Sequence, residues 1–400
     1  DDGFGRCRLR EAMLEANAFA GVDTIAFDID GTGPHTIAPL AALPVVTDSV
    51  IIDGYTQPGA TPNTLVDGND ADIRIELAGQ FINGVALDFS ATDQSTVRGL
   101  AINQFFGGGA TAIRAGTGTV IEGNFIGTDV TGTVALPNWD GIYLLDAPGV
   151  TIGGPDPAQR NVISGNDQSA VAIFGNSDEV TVQGNFIGTD AGGSVAIPNR
   201  NGLYVQGSDV FSIAEPAVIN FLTVADNVIS GNSSEGIALW GATIAPRIVG
   251  NNIGVGVDGV TPLGNNPAPG LDADGFGGVV IRNYVRDAQI GGDGVGEGNL
   301  IGYNSNGVIA FSGINNRIVG NEFIENTRLG VSLPLANAND PGDVDSPRAA
   351  SYFSHLSGNY GQNSPELTSV SILPSGDLQV DYSIDSLTTE SAYPISIDFY

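Results

Sequence analysis

The chain has 400 residues, 57 of them glycine, and 14 basic residues against 45 acidic ones, for a formal net charge of −31. All the basic residues are Arg, so the chain cannot supply the phosphate-neutralising surface that nucleic-acid binding needs, and it repels anionic membranes and acidic polymers unless cations intervene. No stretch approaches the roughly 20 apolar residues that span a bilayer, and the single cysteine, Cys7, excludes an intrachain disulfide.

Residues 6–20 are the one expected helix. Leu9, Ala12, Met13 and Ala16 recur at helical spacing, and Gly21 is a natural stop. Ahead of an array of strands, residues 1–22 read as a cap over the open end of the first rung, with Cys7 a buried thiol on the apolar face. Residues 24–29, 50–53 and 73–77 read as the first strands, separated by turns rich in Pro and Gly.

A repeat then sets the architecture. Gly123-Asn124-Phe125-Ile126-Gly127-Thr128-Asp129 recurs 61 positions later as Gly184-Asn185-Phe186-Ile187-Gly188-Thr189-Asp190, and a looser copy starts at Gly250-Asn251. Between the copies stand Asn161-Val-Ile-Ser-Gly-Asn166, Asn227-Val-Ile-Ser-Gly-Asn232 and Asn299-Leu-Ile-Gly-Tyr-Asn304. Asn161 and Asn185 are 24 positions apart, as are Asn227 and Asn251, and Asn299 and Asn321 are 22 apart. That is one coil of three short strands and three bends, so residues 23–335 read as an all-β solenoid, a parallel β-helix, of about a dozen coils and on the order of 55–60 Å long. Asn124, Asn161, Asn185, Asn227, Asn251, Asn299 and Asn321 are expected to stack as a hydrogen-bonded ladder. The longer intervals place insertions at 128–140, 189–201 and 258–275, in phase, as a wall along one side.

Past residue 335 the pattern stops. Residues 336–365 read as an acidic linker, in which Asn339, Asp340, Asp343 and Asp345 offer alternating oxygen ligands for Ca²⁺ on a Gly-containing loop. Asp67, Asp70 and Asp72, and Asp272 with Asp274, are weaker versions of the same pattern. Leu367–Ile372 and Leu378–Ile384 read as a hairpin and Ile395–Tyr400 as the start of a third strand, opening a β-sandwich-like module over 366–400 that three strands cannot close, so the native polypeptide is expected to continue.

Cys7-Arg8-Leu9-Arg10-Glu11-Ala12 resembles the CSLREA-type motif that opens many secreted bacterial right-handed parallel β-helix proteins, with Arg8 where Ser is usual. The Asp53-Gly-Tyr-Thr-Gln-Pro-Gly59 turn, both repeated phrases and the Asn339–Asp345 stretch resemble that family in the same order. The resemblance implies a right-handed helix in an extracellular, cell-surface protein with sandwich modules downstream. It implies no shared chemistry and no catalytic residues.

The expected function is therefore structural or adhesive: an acidic, calcium-stiffened rod that assembles with its own copies or other surface proteins, or binds polysaccharide along the insertion wall. Asp129, Trp139, Asp140, Tyr143, Asp190, Tyr204 and Asp258 are the wall candidates. The recurrence of Asp129, Asp190 and Asp258 at the roots of the insertions equally suits capping of turn amides. The competing reading is a polysaccharide lyase, hydrolase or epimerase. With no lysine, a lyase would draw its base from Arg282, Arg286 or Arg317, near Tyr284 and Asp287. A hydrolase would need two carboxylates about 5–10 Å apart, for which Asp129, Asp140, Asp190 and Asp258 are the candidates, with Trp139, Tyr143, Tyr204 and Trp240 to stack on sugar rings. His35 and His355 lie at opposite ends of the chain, which argues against a nucleophile–His pair.

Overall fold

The computed structural model describes residues 7–80, 82–208, 217–266 and 276–332, together with the backbone of 366–372 and 378–383. The described chain is a right-handed parallel β-helix. Three parallel sheets run its length: sheet I has ten strands, from Asp23–Ala26 to Arg317–Val319, sheet II ten, from His35–Ile37 to Glu322–Ile324, and sheet III nine, from Asn83–Asp88 to Val331–Ser332. The chain visits I, II and III in turn, so each strand pairs with its equivalent one coil away. Ten coils rising ~4.8 Å each give a stack of about 43 Å. The stack is shorter than the expected dozen coils because outward loops take up residues that further coils would need.

Inward side chains fall into register columns. On sheet I, Ile25, Ile52, Val97, Ile121, Ile152, Val182, Val224, Ile248, Ile290 and Ile318 stack one per coil. Sheet II carries an equivalent column from Ile37 and Leu77 through Ile102, Ile126, Ile163 and Ile187 to Ile301. β-Branched residues suit this packing because their restricted rotamers are also the ones the pleat favours.

The asparagine ladder forms as expected, at the bend from sheet I to sheet II. Each Asn in the series 124, 161, 185, 227, 251 and 299 donates its side-chain amide to the Oδ1 of the next, ending at Asn321, over 2.8–3.2 Å. The sequence reading missed a second ladder at the bend from sheet II to sheet III: Asn138, Asn166, Asn199, Asn232, Asn265, Asn304 and Asn326. Its signal was present in the closing Asn of each Asn-x-Ile-x-x-Asn phrase and in the Pro-Asn pairs after the insertions.

The N-terminal cap is present but shorter than expected, Leu9–Ala16. Met13 and Ala16 are buried against the first coil. Arg10 donates to the carbonyls of Ala41 and Ala42, and Asn17 donates to Val45 O and accepts from Thr47 N, pinning the helix across the end of the stack. Cys7 is exposed, contrary to expectation, because it precedes the first helical turn and never joins the apolar face. The strands Glu366–Ile372 and Leu378–Ser383 form the expected antiparallel hairpin. The acidic linker and residues 395–400 lie outside the described residues.

Candidate functional site

The insertion wall is real, but its geometry assigns it a different job. Within the described residues each insertion forms a two-stranded antiparallel arm, bridged at Thr128–Ala135, Thr189–Ala196 and Val255–Pro262, and a larger arm bridged at Thr61–Asp72 precedes them. The arms sit on alternate coils. An antiparallel pair is about two strand spacings wide, ~9.6 Å, which equals two coil rises, so arms on every second coil close into a continuous layer. Ala191 N donates to Gly132 O and Val257 N to Gly193 O, both at 2.9 Å, joining arm to arm. Gly193 has φ +67° and a Cβ there would stand 2.9 Å from the Val257 side chain, so only glycine admits this approach.

The layer covers the outer face of sheet II. Beneath it Ala101, Phe125, Val162, Phe186 and Val228 are buried in a second apolar cluster with Ile73 and Ala191. The wall is thus mainly an outer core. Asp129, Asp190 and Asp258 are its turn caps: Asp129 Oδ1 accepts from the amides of Thr133 and Val134, Asp190 Oδ1 from Ser194 and Val195, and Asp258 Oδ1 from Val260 and Thr261. The Thr261 hydroxyl and these amides hold the Asp258 carboxyl below the usual carboxylate range. Of the two readings open in the sequence, capping accounts for all three.

The other four wall candidates lie elsewhere, at or on the outer face of sheet III. In one column Arg114, Tyr143, Ala172, Tyr204 and Ala238 occupy successive coils, and in the next Leu145, Phe174, Gln206 and Trp240 do. Large rings alternate with Ala in the first column, which leaves room for rings of the second to lean across. The result is a zigzag ridge: Tyr143–Phe174, Phe174–Tyr204 and Tyr204–Trp240 have centroids 5.3, 5.8 and 6.2 Å apart, with ring planes tilted by 33°, 48° and 39°. Tilted pairs of this kind are favourable beyond their buried area. Arg114 lies 5.8 Å from the Tyr143 ring at one end, and Arg282 lies between the rings of Trp240 and Phe311, at 4.8 and 4.3 Å, at the other. Phe174, Arg114 and Phe311 were not among the sequence candidates, because their membership depends on register across coils, and Arg282, read from the sequence as a lyase base, belongs to the ridge instead.

A polar edge flanks the ridge. Asp140 Oδ1 accepts from Ser169 N, and burial raises the Asp140 carboxyl pKa above its ordinary value. Trp139 is half-buried at the same corner, and Arg200 donates to Gln168 there. Glu235, only 8% exposed, accepts from the Ser234 hydroxyl. Burial lowers the Arg282 pKa, and the charges of Glu235 and Tyr204 oppose that shift. Arg114 faces Asp88 at 3.5 Å. Asn201 Oδ1 and Trp240 Nε1 are buried without a hydrogen-bond partner.

No protein-family profile matches this chain, and no curated protein matches it either. Among solved structures, the chain is similar to the A-module of the Azotobacter vinelandii mannuronan C-5 epimerase AlgE6, at 14% identity and a TM-score of 0.45, over 81% of this chain and 84% of that one. It is also similar to the Dettilon tailspike protein, at 15% identity and TM-score 0.27, over 79% of this chain and 64% of that one. A third similarity is to the catalytic unit of a GH87 α-1,3-glucanase from Streptomyces thermodiastaticus, at 13% identity and TM-score 0.29, over 81% and 65%. The chain spans just under two thirds of the tailspike and the glucanase.

The remaining sequence candidates separate cleanly. Arg317 pairs with Asp293 at 2.6 Å, and Arg282 is held between rings, so neither is placed as a base beside Asp287. Arg286 is at an outer corner, bridging Ile244 to Ile314. Asp70 is saturated by Thr64 and Asp72 pairs with Arg74, so Asp67, Asp70 and Asp72 do not form a cation site. Among the described residues no group of three or more His, Cys, Asp or Glu side chains converges as a metal site. Asn339, Asp340, Asp343 and Asp345, like Asp272, Asp274 and His355, lie outside the described residues. No described helix is long and apolar enough to cross a membrane.

Proposed function

We propose that this chain is a rigid scaffold segment of an extracellular cell-surface protein, and that it binds a polysaccharide along the outer face of sheet III rather than along the insertion wall. The observation that carries the reading is the ridge Tyr143–Phe174–Tyr204–Trp240, half-exposed over four coils and edged by hydrogen-bonding groups. Aromatic side chains with a polar margin are the usual means of holding a ligand that is apolar on its ring faces and polar at its rim. The rest of the surface supports a scaffold role: two seven-membered asparagine ladders and a covered sheet II make a stiff body with few internal degrees of freedom. Affinity electrophoresis through gels containing individual polysaccharides, comparing the native chain with Tyr143→Ala/Trp240→Ala, tests it. Retardation lost in the double variant is expected; equal mobility of both proteins in every gel overturns the binding half of the proposal.

Assembly with copies of itself or with other surface proteins belongs to the same proposal, supported by exposed Phe19, Val22 and Leu40 at the capped end. Calcium binding by the Asn339–Asp345 loop rests on its sequence alone. A second reading, catalysis on polysaccharide, is favoured by one feature, the buried Glu235 beside Arg282 and Tyr204. Against it, Asp140 and Glu235 are three coils apart, about 14 Å, wider than the roughly 5–10 Å that paired-carboxylate hydrolysis uses. Unsaturated or reducing ends appearing in a polysaccharide panel, with and without Ca²⁺, would establish the enzyme.

A further inference from the structure

From the geometry of the ridge we infer the class of glycan it takes: a linear, uncharged polysaccharide in an extended two-fold conformation, lying parallel to the helix axis. This rests on the glycan-binding reading above and narrows it. Three features of the ridge lead there.

The first is the step. The ridge presents one ring per coil, so its rise is the coil rise, ~4.8 Å, and rings of the same column, Tyr143 with Tyr204 and Phe174 with Trp240, recur every second coil at about 9.6 Å. An extended β-1,4-linked pyranose chain advances by nearly one such step per sugar and repeats after two. The second is the handedness of the offset. Successive ridge rings alternate between two columns, left and right of a line along the axis, as the register Tyr143–Ala172–Tyr204 beside Leu145–Phe174–Gln206–Trp240 requires. A two-fold chain flips each sugar relative to the last, so alternate residues present their apolar C–H faces to alternate sides. A helically coiled α-1,4 chain cannot keep that register beyond one or two sugars. The tilt of 33–48° between neighbouring rings matters here, because parallel stacking would close the ring faces against each other.

The third is charge. The protein as a whole carries −31, yet the ridge ends are cationic groups already opposed by carboxylates: Arg114 by Asp88, and Arg282 by Glu235. An anionic chain would meet the long-range repulsion of the whole molecule without a surplus of positive charge at the ridge to offset it. A neutral chain, by contrast, meets no such repulsion.

The experiment is calorimetric titration of the full chain with defined oligosaccharides at fixed ionic strength: cello-, xylo-, manno- and chito-oligosaccharides of two to six sugars, maltohexaose as the coiled chain, and hexagalacturonate as the anionic one. At least one extended neutral series is expected to bind, with affinity rising about tenfold or more from two sugars to four and levelling by six, as the four rings fill. Maltohexaose and hexagalacturonate are expected to bind at least tenfold more weakly than the matching neutral hexamer. Trp240→Ala should cost about tenfold in that affinity and Trp240→Phe less than threefold, with both variants checked for an unchanged circular dichroism spectrum. Equal or tighter binding of maltohexaose or hexagalacturonate overturns the inference while leaving a glycan-binding protein. Binding of an extended series that Trp240→Ala leaves unchanged also overturns it, since the site would then be elsewhere. No binding by any probe overturns both this inference and the reading beneath it.

Discussion

Replacing Asn227 with Ala tests the ladder at its centre. Asn227 Oδ1 accepts from the backbone N of Asn185 at 2.9 Å and from its side-chain amide at 3.1 Å. Its own amide donates to Val182 O at 2.9 Å and Asn251 Oδ1 at 3.0 Å. The side-chain amide of Asn185 keeps Ile152 O and Gln183 O, and Asn251 Oδ1 keeps the backbone N of Asn227, so both survive. The backbone N of Asn185 does not: it becomes a buried donor with no partner, at about 1–3 kcal/mol. The other lost bonds add roughly 0.5–1.5 kcal/mol each before any relaxation. Allowing for a water entering the vacated space, the expected loss is about 3–5 kcal/mol. Because a solenoid unfolds by neighbouring repeats, the cost should appear first as a local opening of the coils around Asn227. Hydrogen exchange should therefore show the Asn185 amide losing protection before those of distant coils, alongside a lowered urea midpoint. The matched control is Asn83→Ala, exposed at the start of its strand and outside both ladders, with an expected change within about 0.5 kcal/mol. A loss below about 1.5 kcal/mol for Asn227→Ala, or unchanged protection of the Asn185 amide, would refute the claim that the ladder holds the bends.

Gly193→Ala should destabilise by about 1–3 kcal/mol through a strained backbone and contact with Val257, and should raise binding of a hydrophobic dye as the arm lifts from Phe186; wild-type dye binding would contradict the outer-core role of the wall. Because burial raises the folded pKa of Asp140, ionisation there opposes folding: the penalty is absent below the unfolded value of about 3.9 and develops as pH rises through the folded value. Asp140→Asn is accordingly expected to match the native chain in urea melts near pH 3 and to exceed it at pH 7, the opposite order being incompatible with a buried carboxylate. Asn17→Ala, which removes the bonds to Val45 and Thr47, should cost about 1–2 kcal/mol and increase aggregation from the capped end, as followed by light scattering. For calcium, EDTA should lower the melting temperature of the native chain but not of Asp340→Ala/Asp343→Ala; no change in the native chain would remove calcium from the proposal.

Much of this fold was legible because a solenoid turns tertiary contacts into periodicity. Asn161 and Asn185 meet because they are one coil apart, and their 24-residue spacing says so before any coordinates. The second ladder was legible in principle, but its spacings of 28, 33 and 39 residues straddle the arms and hide the period. The arms show the limit more sharply. Their sequence announced that something protrudes in phase, and the Asp-Gly chemistry at their roots announced turns. Whether they would project into solvent or fold back was decided by width, since a two-stranded arm matches two coils, and by Phe125 and Phe186, which point outward from sheet II and need cover.

Composition, repeat and helical spacing alone determined the class of fold, the inward Ile and Val columns and a capping helix ahead of the first rung, because each depends on local pattern. Only the tertiary structure decided which of the outward residues share a face. Tyr143, Phe174, Tyr204 and Trp240 are 31, 30 and 36 positions apart in turn, an irregular series that no period picks out. They become a ridge because sheet III pairs their strands in parallel, and because Ala172 and Ala238 are small enough to let rings from one column lean over the other.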